Sequence, residues 1–245
     1  MKKLLRKTIK KLPRGLKNVG KKFGGEKVLD KIYNKNEIEL YFQEGWADLF
    51  SKNVAVVEEY WNKYRFLKQI KKMCGIENGT KVLDVGCGIS TVLHLLPEGN
   101  LFGVDPLADD YKKLYKYPSS MSIVKADGEN IPYNKNFFDV VISSNALDHT
   151  SDYKQVVKEI KRVLRPNSFF ALTLEYFNPD SDTTDRGSAH PHDFSRQQII
   201  DIFEDDFDII FQKDTPFIGL KKYVEGNRRH EQNELVIIGR LKQWH

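Results

Sequence analysis

The run KVLDVGCGIST, Lys81 to Thr91, holds an acid, Asp84, just ahead of two glycines, Gly86 and Gly88. Alternating residues before the acid predict a strand, and STVLHLL after the glycines predicts a helix. Glycine at such a junction lets backbone approach a ligand and take turns that a Cβ would forbid. The helix start adds free N–H groups and a partial positive charge. Three later runs carry polar residues at comparable points. NLFGVD ends in Asp105, 21 residues after Asp84, and Pro106 follows. KADGEN holds Asp127 and Gly128, and SSNALDH holds Asn145 and His149.

The elements that must position these residues can be read from periodicity. Short strands alternate with helices from Lys81 onward: KVLDVG, NLFGVD, MSIVKAD, FFDVVISSN and SFFALTLEY read as strands. LADDYKKLYK, SDYKQVVKEIKRVL and SRQQIIDIFEDDF read as helices. The second has Tyr153, Val156, Val157, Ile160 and Val163/Leu164 on one face, with Ser151 as its expected cap; Ser195 caps the third. This order predicts an α/β fold with a mostly parallel sheet covered on both faces. The last two strand-like runs, FDIIFQKDTPF and ELVIIGRLK, have no clear helix between them and are expected to pair as an edge hairpin. Ahead of the sheet, VAVVEEYWNKYRFLKQIKKM is free of Pro and Gly and predicts one helix. Three parts are expected: a basic tail (1–26), a helical lid or cap (27–75) and the α/β domain (76–245).

In an open parallel sheet, ligands bind beyond the carboxyl ends of the strands. A dinucleotide loop, G-x-G-x-x-G, fails because Thr91 stands at the third glycine position. Asp84 would also repel a phosphate. A P-loop fails for want of a Lys-Ser or Lys-Thr after the glycines. An acid beside a glycine loop suits a ligand that presents a cation, such as S-adenosylmethionine, with its ammonium and sulfonium. Asp105 is placed to accept from ribose hydroxyls, and Asp127 from an adenine amino group.

Taken in order, VLDVGCG, LFGVDP, KADGENIPYNKNFFDVVISSNALDH and VLRPNSFFALTLE resemble the class I S-adenosylmethionine-dependent methyltransferases. The resemblance is to the broad small-molecule group (type 11-like), which includes quinone and sugar methyltransferases, and it covers roughly residues 60–245. It implies a Rossmann-like, mostly parallel seven-stranded sheet with a C-terminal antiparallel hairpin, and S-adenosylmethionine as cofactor. It further implies that Asp84 faces the methionine ammonium through water and that Gly86 and Gly88 pass under the cofactor. Asp105 would hold the ribose, Pro106 would pack near the adenine, and Asp127 with Gly128 would read it. Asn145 would lie near the methionine portion. Arg65 would either pair with the cofactor carboxylate or stand as a surface charge. Ser90 replaces a frequent third glycine.

His149 could take a proton from an acceptor hydroxyl, for which an ordinary imidazole pKa is suited, or cap the next helix. In GSAHPHDFS, His190, His192 and Asp193 could bind a metal. A loop fixed by Pro191 is the preferred reading, and no metal is expected. Trp46, Tyr60, Trp61 and Tyr64 are expected to pack as core, some of them forming a lid that excludes water. Cys87 reads as a small loop residue.

The chain has 245 residues, of which 40% are hydrophobic and 30% charged, enough for one large soluble domain. No secretory signal is expected, and two cysteines point to a reducing cytoplasm rather than a disulfide framework. The net charge of +5 is uneven: residues 1–27 carry eleven Lys or Arg and one acid, and the remainder is net acidic. Nucleic acid is therefore not an expected partner of the body. The fourth-strand run SSNA also lacks the Asn-Pro-Pro-aromatic pattern of base methylation. In the tail, Leu5, Ile9, Leu12, Leu16 and Val19 form an apolar stripe amid basic residues. That is the pattern of a helix on an anionic membrane surface, and equally of a solubilising tail. The expected function is methyl transfer to an oxygen, or a carbon, of a small or glycan-linked acceptor. The alternatives are an RNA methyltransferase docked through the tail, or a non-catalytic module that only holds the cofactor.

Overall fold

A computed structural model describes residues 34–97, 99–177, 190–224 and 233–243. The basic tail, and every expectation placed on it, lies outside the described residues. Seven strands form one sheet in the order β3-β2-β1-β4-β5-β7-β6. They are β1 (Val82–Val85), β2 (Leu101–Asp105), β3 (Met121–Lys125), β4 (Phe138–Ser144), β5 (Leu164–Tyr176), β6 (Phe207–Pro216) and β7 (Asn233–Leu241). The first five are parallel, and β7 runs antiparallel between β5 and β6. The Rossmann-like sheet and its antiparallel end are as the sequence predicts.

The helices of the N-terminal part are α1 (Lys35–Lys52), α2 (Val54–Tyr64) and α3 (Leu67–Met73). Those between strands are α4 (Ala108–Leu114), α5 (Tyr153–Val163), α6 (Arg196–Glu204) and the short α7 (Leu220–Val224). Strand alternation sorts the core into two layers. Val82, Val140, Ala171 and Ile238 pack with Val57, Trp61 and Ile70 of α2 and α3. Leu83, Val85, Phe170 and Ile237 pack with Val156 and Ile160 of α5 and Phe203 of α6. The helices expected as a cap therefore share a core with the sheet. By the same alternation, Asp84 is buried on the Val82 side.

Four local differences from the sequence reading have physical causes. The helix expected across Arg65 breaks there. Phe66 adopts a left-handed conformation (φ 53°), its ring lies 5.6 Å from Phe211, and Arg65 is buried. After the glycine loop only a 3₁₀ turn forms, Val92–Leu95, started by the Thr91 hydroxyl accepting from Leu93 N. Asp152, not Ser151, caps α5 by accepting from Gln155 N. A five-residue helix, α7, lies between β6 and β7 where none was expected. The Ser195 cap forms as read, in a capping box with Gln198.

Candidate active site

Strand order reverses beside β1, so the connections leave in opposite directions and open a crevice at the carboxyl ends of the strands. A cavity of about 590 Å³ occupies it, within the range of small-molecule sites (about 300–1,000 Å³). The cavity has two differently built sides.

One side is the glycine loop. Gly86 has φ +73°, and a Cβ there would stand 2.3 Å from that of Ala146. Gly88 has φ +52°, and a Cβ would stand 2.9 Å from the Gln43 amide nitrogen. Asp105 is the clasp: one carboxylate oxygen accepts from Gly88 N (3.0 Å) and the other from Leu107 N (2.8 Å). Gln43 of α1 accepts from Ile89 N and so covers the loop. Asp84 lies beneath, accepting from the Thr91 hydroxyl at 2.6 Å, and its other oxygen has no hydrogen-bond partner among the described residues. Burial pushes Asp84 up to about 7 and Asp105 up to about 6.

The other side is built from β4, β5, β7 and α2. Arg65, 3% exposed, is paired at 2.5 Å with Glu234, which is fully buried. Its guanidinium also lies over the Tyr60 ring. Asn145 is left-handed (φ 48°), donates to Glu234 and accepts from Glu175 N. Burial raises Glu234 to about 7 even beside Arg65. Next to these groups, Asp148 is buried and bonded at 2.8 Å to Nδ1 of His190. The His149 and His190 rings lie 4.1 Å apart. Burial lowers the His149 pKa, and Lys35 of α1 donates to its carbonyl oxygen.

A family model described as "Methyltransferase domain" matches residues 83–172. Among curated proteins, the chain is 28% identical to "Cycloartenol-C-24-methyltransferase 1" of Oryza sativa subsp. japonica, covering 71% of this chain and 57% of that protein. It is also 28% identical to "Demethylmenaquinone methyltransferase" of Staphylococcus aureus, covering 62% of this chain and 65% of that protein. The chain thus spans less than two thirds of the length of either relative. A solved S-adenosylmethionine-dependent methyltransferase from Mesorhizobium loti shares the fold (TM-score 0.52, 14% identity), covering 66% of this chain and 91% of that one. Over residues 83–172 the chain is similar to the methyltransferase domain family, and its sheet has the fold of solved S-adenosylmethionine-dependent methyltransferases.

The site's own geometry fits S-adenosylmethionine, the cofactor that the resemblance implies. Two glycines leave a cradle that a Cβ would fill. A carboxylate has about four acceptor positions, and Asp105 uses two on backbone, so two can receive ribose hydroxyls. Of the residues singled out by sequence, Gly86, Gly88, Asp105, Pro106, Asp127, Gly128, Asn145, Arg65 and His149 line the cavity. Asp84 lies behind the wall, on Thr91. The surface-charge alternative for Arg65 is corrected, because the side chain is buried against Glu234. His192 is drawn away from His190 and packs on Tyr153 and Phe194, and Asp193 is exposed. The side chains within reach of one another are instead Asp148, His149 and His190. Gln43, Asp148, Glu175 and Glu234 were not read as site residues. Glu175 and Glu234 had one signal: an acid at the end of an apolar strand run.

Proposed function

We propose that this chain transfers the methyl group of S-adenosylmethionine to a hydroxyl oxygen of a small or glycan-linked acceptor that is neutral where it reacts. The cofactor supplies an activated methyl on a sulfonium. One observation carries the reading: a single cavity joins the glycine loop and Asp105 to the cluster of Asp148, His149 and His190. In this reading Asp105 holds the ribose. Asp127 and Gly128 meet the adenine, with Pro106 beside it. Asn145 and Arg65 face the methionine end, and Asp84 supports the loop and its ammonium through water. Trp46 and Trp61 wall the cavity and exclude water from the methyl group.

The charge around the cavity argues against a phosphate-rich acceptor. Glu39, Asp105, Asp127, Glu129 and Glu175 line it, against Lys35 and Arg65, and Arg65 is already paired. An RNA backbone would meet net repulsion. A second acceptor class, a ring or alkene carbon of an isoprenoid-type lipid, is favoured by the names of the two relatives and by the aromatic wall. The chain acts in the cytoplasm, and its basic tail holds it against an anionic membrane where such acceptors are made; sedimentation with anionic liposomes, with and without residues 1–26, tests that placement.

The central test uses the full chain. Calorimetry with S-adenosylmethionine should give one site. Methyl-labelled cofactor, incubated with separate glycan and lipid extracts, should label one of them. NMR of the product then separates a methoxy from a carbon-bound methyl. Binding without transfer to any extract would leave the non-catalytic module.

A further inference from the structure

We propose that His190, oriented by Asp148, is the general base that accepts the proton of the acceptor hydroxyl. The inference rests on the methyl-transfer reading and moves the base from His149, the residue read from sequence, to its neighbour. The geometry is specific. Asp148 stands in the 3₁₀ turn Leu147–His149 after β4, and His190 comes from the segment before α6. Asp148 is 2% exposed, and its carboxylate meets His190 Nδ1 at 2.8 Å. A carboxylate holding Nδ1–H fixes the tautomer, so Nε2 becomes the basic nitrogen. The same carboxylate stabilises the imidazolium formed when the proton arrives. The His190 side chain is 16% exposed, lines the cavity, and belongs to a wall that Asn145 continues towards the glycine loop.

His149 has no such orienting bond among the described contacts. Its carbonyl is taken by Lys35, and burial opposes its protonation. Its ring packs against His190. The charged groups around the pair are Asp148 on the same turn, Lys35 and Glu39 on α1, Glu175 on the sheet, and Glu234, whose charge is paired with Arg65. In the step, the hydroxyl O–H bond breaks and its proton passes to His190 Nε2. The oxygen forms the new C–O bond as the C–S bond breaks, and that pair stays on sulfur as a neutral thioether. A base with this alignment is needed by a hydroxyl and not by an unprotonated amine, so the dyad selects the acceptor class.

The experiment uses the full chain and three hydroxyl probes: phenol, 4-nitrophenol and methyl α-D-glucopyranoside. Phenol has a pKa near 10 and needs a base at neutral pH, whereas the nitro group acidifies 4-nitrophenol so that about half of it is already ionised there. His190→Gln should slow transfer to phenol or the glucoside by about 10²–10⁴-fold and transfer to 4-nitrophenol by less than about tenfold. Asp148→Asn should do the same in smaller degree, with the same split between phenol and 4-nitrophenol. Nitrogen-15 NMR should show the Nδ1–H tautomer at His190 in the parent chain. An equal deficit for all probes means a merely structural role and overturns the proposal. So does an undiminished rate in His190→Gln, or a deficit that appears in His149→Gln instead. No transfer to any probe from a chain that binds the cofactor removes the hydroxyl acceptor and, with it, the base. Absence of cofactor binding would instead bring down the methyl-transfer reading itself.

Discussion

The two sides of the cavity are held by different kinds of interaction. The glycine-loop side is organised by backbone: Gly88 N and Leu107 N on Asp105, Ile89 N on Gln43, and two positive-φ glycines. The opposite side is organised by side chains that meet across the fold: Arg65 with Glu234, Asn145 with Glu234, and Asp148 with His190. A backbone-built site recognises a ligand common to a whole family, because it tolerates few sequence solutions. A side-chain-built site can be rewritten residue by residue, and in the proposed reading acceptor choice resides in its Asp148 and His190 part.

The largest expected effect lies on the side-chain side. Arg65→Met would leave Glu234 buried without its cation, and removing one partner of a buried pair costs about 3–5 kcal/mol. Urea unfolding should show that loss. The double variant Arg65→Met/Glu234→Leu should recover much of it, since an apolar pair of similar volume is often near neutral. If the double variant is as unstable as the single one, the pair is not a closed unit and the contrast between the two sides weakens.

On the backbone side, Gly86→Ala should destabilise by about 2–4 kcal/mol, combining left-handed strain with the approach to Ala146. Cofactor affinity should fall with it. Gly45, with nothing within 4 Å of an added Cβ, is the control, and Gly45→Ala should be neutral or stabilising. A Gly86→Ala chain of parental stability would show that the loop has slack.

Asp105→Ala should weaken S-adenosylmethionine binding by about 1.5–3 kcal/mol, the loss of hydrogen bonds to a charged acceptor. Asp105→Asn keeps one acceptor oxygen for backbone and should lose less. Equal and unchanged affinities in calorimetry would remove the ribose assignment and leave Asp105 as a loop clasp alone.

The same contrast governs what could be read from sequence. The glycine loop, Asp105 and the strand order were legible because each follows from local spacing: apolar runs, a glycine pair and an acid at a strand end. The side-chain-built side was not. Arg65 and Glu234 lie in different elements far apart in the chain, and no local pattern links them. The helix break at Arg65–Phe66 was invisible for the same reason, since its cause is the buried pair and the Phe211 contact rather than a Gly or Pro. His149 was visible as a histidine after a strand, but Asp148 became significant only once the fold brought His190 to it.

The smallest expected effect is a linkage between protons and cofactor. Asp84 and Asp105, raised by burial to about 7 and about 6, hold protons at mildly acidic pH that an unfolded chain would release. With folded pKa values above unfolded ones, they stabilise the unliganded fold most at low pH. That contribution is lost as pH rises from about 4, the ordinary Asp value, towards 6–7. Cofactor binding acts in the opposite sense. A ligand ammonium and ribose hydroxyls favour the ionised carboxylates, so binding should expel protons, and affinity should rise as pH climbs from 5.5 to 7. Above about 7.7–8.0 the ligand's own α-amino group begins to titrate, which sets the upper edge of the window. Calorimetry at pH 6.3 in two buffers of different ionisation enthalpy should reveal net proton release of order one or less. Asp105→Asn should reduce it, whereas His190→Gln, on the other side of the cavity, should leave it unchanged. Release that follows His190 instead would mean that the two sides titrate as one unit, and the division between a backbone-built and a side-chain-built half would have to be redrawn.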